Sequence, residues 1–196
     1  MTRILAFSDV HLARNRIAEI VVAAEEADLI IGAGDFCNVR RGLDEAMDLL
    51  RPIADKAIYV PGNAESADEL RAATEATVLH GEATEVHGLK IFGIGYAIPV
   101  TPFGPWSCDL TEEFAAEMLA RAEEADILIS HSPPKGVADT SSDGVSLGST
   151  AVRATIERLQ PKLCLCGHIH DSWGGSGMIG ATDVRNLGPT PNWFDL

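Results

Sequence analysis

Short apolar runs alternate with amphipathic stretches through the first half of the chain. Ile4–Phe7, Leu29–Ile31 and Ala57–Val60 are too short and too uniformly apolar for surface helices and read as buried strands. Between the first two, Ile17, Ile20, Val21 and Ala24 fall at i, i+3, i+4 and i+7, one apolar helical face. Leu43, Met47 and Leu50 repeat that spacing after Gly42, and Ser66-Ala67-Asp68-Glu69 reads as a capping box opening a short helix. This βαβαβ order predicts a parallel sheet with crossover helices. From Thr77 the period changes. Thr77–Leu79, Ala83–Val86 and Leu89–Phe92 are separated by His80-Gly81 and His87-Gly88, which predicts antiparallel hairpins with both histidines exposed in turns.

Thr111 then caps a helix in which Ala115, Met118, Leu119 and Ala122 share a face. Asp126–Ser130 and Leu163–Cys166 are predicted strands, with a helix over Ser149–Leu159 between them that Pro161 stops. Met178–Gly180 and Val184–Leu187 predict a closing hairpin. Two stretches fit neither period. Gly93–Asp109 carries Pro99, Pro102 and Pro105 beside Tyr96, Phe103 and Trp106, and Ser132–Gly148 is rich in proline, glycine and serine. Loops of this length serve either as functional rims or as ordered connectors, and the sequence gives equal weight to both. With no linker, repeat or low-complexity tract, a single domain over residues 1–196 is predicted.

Composition narrows the class. An apolar content of 46% with 22% charged residues is ordinary for a globular protein. No apolar stretch approaches the roughly 20 residues needed to cross a bilayer, so no membrane partner is expected. Met1-Thr2-Arg3 runs directly into a strand without a signal-peptide core, and a cytoplasmic location is expected. Cys164 and Cys166 alternate with leucines, and with Cys37 and Cys108 they read as small hydrophobes in a reducing compartment. The net charge of −14, with four lysines against 29 acids, disfavours binding to extended nucleic acid.

Candidate chemistry lies where the apolar runs stop. Five of them break into loops bearing oxygen or imidazole donors: Ser8-Asp9-Val10-His11, Gly32-Ala33-Gly34-Asp35, Pro61-Gly62-Asn63, Ser130-His131-Ser132-Pro133 and Gly167-His168-Ile169-His170. Each has a local alternative, such as a helix cap at Asp9, a turn at Asn63 or a structural histidine at 131. Five together point to one site at the carboxyl edge of a sheet. These donors suit a divalent transition metal better than calcium.

In that order, Asp9-x-His11, Gly34-Asp35, Gly62-Asn63, His131 and Gly167-His168-x-His170 resemble the motifs of calcineurin-like metallophosphoesterases. The likeness runs from residue 9 to residue 170, and Gly148-Ser149, Gln160-Pro161 and Cys166 through His170 resemble the small bacterial and archaeal branch. The resemblance implies an α/β fold, a four-layer α/β/β/α sandwich of two mixed sheets flanked by helices. It also implies two divalent metal ions. Asp9, His11, Asp35 and His170 would hold one; Asp35, Asn63, His131 and His168 would hold the other, with Asp35 bridging. A shared carboxylate offsets the repulsion between two close cations. A bridging water would ionise near neutral pH and attack phosphorus as hydroxide. Asp35, Asn63 and His168 are the candidate catalytic residues on this pattern. Manganese is the preferred ion, although iron, zinc and nickel fit the same ligands.

One position departs from the pattern. The family motif continues Gly-Asn-His-Asp or Glu, and its histidine is held to protonate the leaving group or to steady the transition state, whereas this chain reads Gly62-Asn63-Ala64-Glu65, with Glu65 in the acidic position but no histidine for it to orient. A methyl group cannot transfer a proton. General acid help is worth about 10²–10⁴-fold, and its loss weighs most on poor leaving groups. The expected substrate is therefore a small phosphodiester, a cyclic nucleotide being one candidate, ahead of an alkyl phosphomonoester. Arg40 and Arg41 follow the Asp35 loop and are candidate phosphate contacts, with a solvated pair the more ordinary role. Phe103 and Trp106 are candidate stacking partners for a base, or simple loop packing. Competing readings are a catalytically silent scaffold of the same fold for protein binding, a phosphomonoesterase and a nuclease. Self-association into a homo-oligomer is compatible with all of them.

Overall fold

The computed structural model describes residues 1–196. Its first strand, β1 (Arg3–Phe7), is followed by helix α1 (Arg14–Ala23), β2 (Leu29–Gly32), α2 (Leu43–Leu50), β3 (Ala57–Tyr59), α3 (Ala67–Ala73) and β4 (Thr77–Val78). Strands β1 to β4 lie side by side and parallel, as the alternation of strand and helix predicts for β1 to β3. The chain then enters a second sheet through β5 (Glu82–Val86), β6 (Leu89–Ile94), α4 (Glu112–Leu119), β7 (Ile127–Ser130), α5 (Thr150–Leu159), β8 (Leu163–Cys166), β9 (Ser176–Ile179) and β10 (Thr182–Asn186). The last strand, β11 (Asn192–Asp195), returns to the first sheet and pairs antiparallel with β1. The sheet orders are β11-β1-β2-β3-β4 and β5-β6-β7-β8-β10-β9.

Alternation along the central strands gives the layers. Ile4, Ala6, Leu29 and Ile31 of the first sheet meet Ile127, Ile129, Leu163 and Leu165 of the second in one apolar cluster. Opposite residues of the same strands face outward: Leu5, Phe7 and Ile30 pack under α1 and α2, while Leu128, Cys164 and Cys166 pack under α4 and α5. Two mixed sheets, face to face and flanked by helices, form the four-layer α/β/β/α arrangement. Both faces of the central strands are thus covered, which is why β2, β3, β7 and β8 are apolar runs without a polar face. All four cysteines are free, three of them buried.

Local chemistry matches several expectations. Ser66 and Glu69 exchange both bonds of the capping box, and Thr111 and Ser149 accept from the amides of Phe114 and Val152 at the starts of α4 and α5. Two expectations need correction. Thr77–Leu79 is not part of a hairpin: β4 runs parallel to β3, because α3 makes the crossover, and only β5 and β6 form the antiparallel pair. His87 is exposed, but His80 is not. Its Nδ1 accepts from the Gly95 amide at 3.1 Å, and its ring lies 4.2 Å from that of Tyr96, so the crossing to the second sheet folds it inward. Strand β11 was not anticipated, its alternation of Asn, Trp, Phe and Asp being too brief to stand out.

Candidate metal centre

Strands β1, β2 and β3 deliver Asp9, Asp35 and Asn63 from one sheet, while β7 and β8 deliver His131, His168 and His170 from the other. Because these strands run parallel within each sheet, their carboxyl ends share an edge, and the two edges meet. Main-chain bonds tie the loops across the junction. The Asp9 amide donates to Gly34 O, the Gly167 amide donates to His131 O, and His131 Nδ1 lies 2.8 Å from Ala33 O. That last contact leaves His131 Nε2 turned toward the site.

All seven predicted metal-ligand residues are brought to this edge. Donor atoms of Asp9, His11 and His170 lie within 4.8 Å of one another, as do those of Asp9, Asp35 and His131. Asp35 reaches both sides: Oδ2 is 3.5 Å from His11 Nε2 and Oδ1 is 3.5 Å from His131 Nε2. Asn63 Oδ1 stands 3.2 Å from His131 Nε2. The His168 ring is 5.0 Å from that of His131, outside the two tight groups, while its amide donates to both Asp9 carboxylate oxygens. His11 and His170 face each other through Nε2 at 3.1 Å.

The backbone is bent to achieve this. Asp9, His11, Asp35 and His168 all have positive φ, at 53°, 42°, 58° and 66°. Non-glycine residues adopt such angles at a cost of about 1–3 kcal/mol each, and such strain collects at functional sites. Gly62 and Gly167 make room for it. A side chain at Gly62 would strike the Asp35 carboxylate and amide, and one at Gly167 would strike Asp9 and Ser8.

Electrostatically the centre is a pair of buried carboxylates without a lysine or arginine partner. The ionic contacts of Asp9 and Asp35 are to histidines alone. Burial pushes the Asp35 carboxyl up, but His131, His11 and the Ala64 amide outweigh it and hold it below the ordinary value. Burial likewise opposes charge on His131, and Asp35 and Asp9 overcome it to raise that group. His168 is pushed down to about 3 by burial and then by His131, and His170 is lowered chiefly by burial. Imidazoles beside buried carboxylates, with those of His168 and His170 held toward the neutral form, make a donor set that fits divalent cations, since buried charge must be either paired or coordinated.

Three supporting sets of contacts go beyond the sequence reading, in which Glu65 is only the acid without a histidine to orient. Glu65 is fully buried and accepts from the amides of Asp35, Phe36, Cys37 and Gly62, so one carboxylate clamps the Asp35 loop to the Asn63 loop. Burial and Asp35 push its carboxyl up to about 7, against the amides of Gly62 and Cys37. Trp173 donates from Nε1 to Asp9 Oδ2 at 3.1 Å and stacks against His170, and Ser8 Oγ donates to the same Asp9 oxygen at 2.5 Å. Ser107 accepts from Asn63 Nδ2 at 3.0 Å, which turns Asn63 Oδ1 toward His131, and Asp109 in turn accepts from Ser107. A carboxylate two residues past an expected ligand was the available signal for Glu65; nothing local marks the other two.

Arg40 is committed elsewhere, to Glu69 and Cys108. Arg41 is exposed, and its guanidinium makes no hydrogen bond or ion pair. Ala64 is 1% exposed and donates its amide to Asp35 Oδ1 at 2.8 Å. The loops 93–109 and 132–148 both border a cleft that opens beside His168 and His170.

This chain belongs to the calcineurin-like phosphoesterase family, whose sequence model matches residues 2–172. A UPF0046 protein of Caenorhabditis elegans is 27% identical over 176 residues, covering 78% of this chain and 60% of that protein's length. The chain therefore spans less than two thirds of that relative. Among solved structures, TT1561 of Thermus thermophilus superposes with a TM-score of 0.75 at 19% identity, over 99% of this chain and 98% of that one. A dimetal phosphatase from Danio rerio gives a TM-score of 0.61 at 13% identity, over 96% and 88% of the two chains. These structural likenesses concern the fold. No helix is long and apolar enough to cross a membrane.

Proposed function

We propose that this protein is a metal-dependent phosphoesterase that uses two divalent ions, manganese preferred, to hydrolyse a small phosphodiester. The observation that carries the reading is the Asp35 carboxylate, buried and left-handed in backbone, with one oxygen toward His11 and the other toward His131. Asp9, His11, Asp35 and His170 would hold one ion, and Asp35, Asn63, His131 and His168 the other. When bound, two such ions acidify water and neutralise charge on a phosphoryl group.

The residues of the chain do the rest. Glu65 and the Ala64 amide fix Asp35, and Ser107 fixes the Asn63 amide so that its oxygen faces inward. Trp173 and Ser8 fix Asp9. His168, held neutral by burial, offers a lone pair to a cation rather than a charge that would repel one. With alanine at 64 no side chain there can protonate a leaving group, which supports diesters and good leaving groups over alkyl monoesters. Arg41 remains the proposed phosphate contact, since Arg40 would have to release Glu69 first. The negative charge supports a small substrate over extended nucleic acid. The four free cysteines support the cytoplasm as its compartment.

Metal analysis of the purified protein, followed by assay with manganese on bis(4-nitrophenyl) phosphate and 4-nitrophenyl phosphate, tests this reading. Two ions per chain and faster diester cleavage are expected, with Asp35→Asn lowering the rate by about 10³-fold or more. A protein that takes up no metal and cleaves neither ester after reconstitution would be the silent scaffold instead.

A further inference from the structure

The two long loops do more than connect. Residues 93–109 and 132–148 close over a cleft of about 350 Å³ whose walls are Ile98, Val100, Phe103 and Leu147 and whose inner end is His168 and His170. That volume is at the small end of ligand sites, enough for a ring beside a phosphoryl group. Apolar side chains normally withdraw from water when they can, yet Val100, Phe103 and Leu147 are 59%, 51% and 44% exposed. The Phe103 ring is propped parallel to that of Trp106, 9° between planes and 5.7 Å between centres. No lysine or arginine lines the cleft, and its one ionic side chain, Asp171, is spent on the Ser142 amide.

These features exclude several occupants. A second phosphate or a carboxylate would enter without a cation to meet it and beside an acid. A sugar would leave most of its hydroxyls facing carbon, with Thr101 and Ser141 as the nearby polar side chains. An uncharged aromatic ring would instead cover the exposed carbon and lie against Phe103.

We propose that this cleft is the binding site for the ester group of the substrate, and that the group is a compact, uncharged aromatic ring. The inference rests on the proposed metal-dependent function, because the metal ligands at the cleft's inner end would place the phosphoryl group. The same loops serve both ends of the substrate. Ser107, which orients Asn63, and Phe103, which forms the wall, belong to one segment anchored on Asp109 through Ser107 and Thr101.

Binding without turnover is the suitable test. Phenylphosphonate and methylphosphonate share the phosphonate head and differ in the ring, and neither is an ester. Calorimetric titration of the manganese-loaded protein should show phenylphosphonate binding about tenfold tighter or more, the size of effect that burying a ring's carbon surface produces. Phe103→Ser and Leu147→Asp, both at exposed positions, should shrink that ratio several-fold. Equal affinity for the two probes, or a ratio untouched in both variants, overturns the proposal. If neither probe binds a protein that holds metal and cleaves bis(4-nitrophenyl) phosphate, the cleft proposal falls and the function stands. If the protein neither holds metal nor cleaves that ester, both fall together.

Discussion

The inner and outer halves of the candidate centre are built differently. Asp9, Asp35, Asn63 and His131 are at most 4% exposed, and each is fixed by hydrogen bonds to the surrounding loops. On the outer side, the side chains of His11 and His170 are 27% and 49% exposed. The His11 side chain has one main-chain contact, from Nδ1 to Cys37 O at 3.1 Å, and His170 leans on Trp173. The inner half is thus part of the fold, whereas the outer half would gain its order from a cation. Stability and metal affinity should separate between them.

The largest effect expected on stability comes from the clamp of the inner half. Glu65→Ala leaves the buried amides of Asp35, Phe36, Cys37 and Gly62 without an acceptor. Each such loss costs about 1–3 kcal/mol before relaxation, and water entering the gap would recover part of it. Urea unfolding of the metal-free protein should therefore show a loss of about 3 kcal/mol or more, together with loss of activity. A loss below about 1 kcal/mol would mean that the clamp is not what orders the Asp35 loop.

His170→Ala should show the reverse pattern. Its side chain is half exposed and no inner bond depends on it, so unfolding of the metal-free protein should change by no more than about 0.5 kcal/mol. Activity at limiting manganese should nevertheless fall by roughly 10²-fold and recover in part at excess metal, since what is lost is affinity. If excess metal recovers nothing, His170 is doing something other than holding an ion.

The division also explains what was legible in the sequence. Strand ends, helix faces and caps depend on residues near in sequence, and Ile17 and Ile20, Ser66 with Glu69, and the alternating Leu163–Cys166 were readable from spacing alone. The loops with candidate ligands were readable because each follows a strand end. The clamp of Glu65 on the Asp35 loop and the contacts of Trp173 and Ser107 were not, since those partners lie 28 to 30, 164 and 44 positions away. The parallel placement of β4 and the inward turn of His80 were missed for a related reason. A short strand after a helix can join the sheet it left or begin another, and only the packing of α3 decides.

His80 sharpens the comparison from outside the centre. It is a half-buried histidine with no candidate metal partner, and burial, then Arg71, lowers its imidazole to about 4. The unfolded chain binds the proton near 6.5, so between those values the unfolded state carries more protons than the folded one. Stability from this group is therefore complete above about pH 6.5 and is lost as pH falls toward 4. His80→Gln keeps an acceptor for the Gly95 amide and removes the titration. Between pH 7 and pH 4 the parent metal-free protein should lose about 1–3 kcal/mol more than the variant, as read by urea unfolding. Parallel losses in the two proteins would show that His80 titrates alike in the folded and unfolded states.

The smallest effect is expected at Ala64, where the inner half lacks a side chain that the family motif supplies. Its main chain is fixed at both ends, the amide to Asp35 and the carbonyl to the Arg40 amide, so substitution changes the side chain alone. Ala64 is buried but borders a groove of about 310 Å³ shared with Arg40 and Glu69, which gives an imidazole somewhere to expand. Overpacking should cost about 1–3 kcal/mol of stability. In return Ala64→His should raise turnover on an alkyl phosphate ester relative to a nitrophenyl ester by about tenfold, the lower range of general acid catalysis. Only a proton donor near the leaving oxygen discriminates between these esters, because a nitrophenolate departs without help. An equal gain on both would trace to loop repacking, and no gain on either would place the vacancy too far from the departing oxygen to matter.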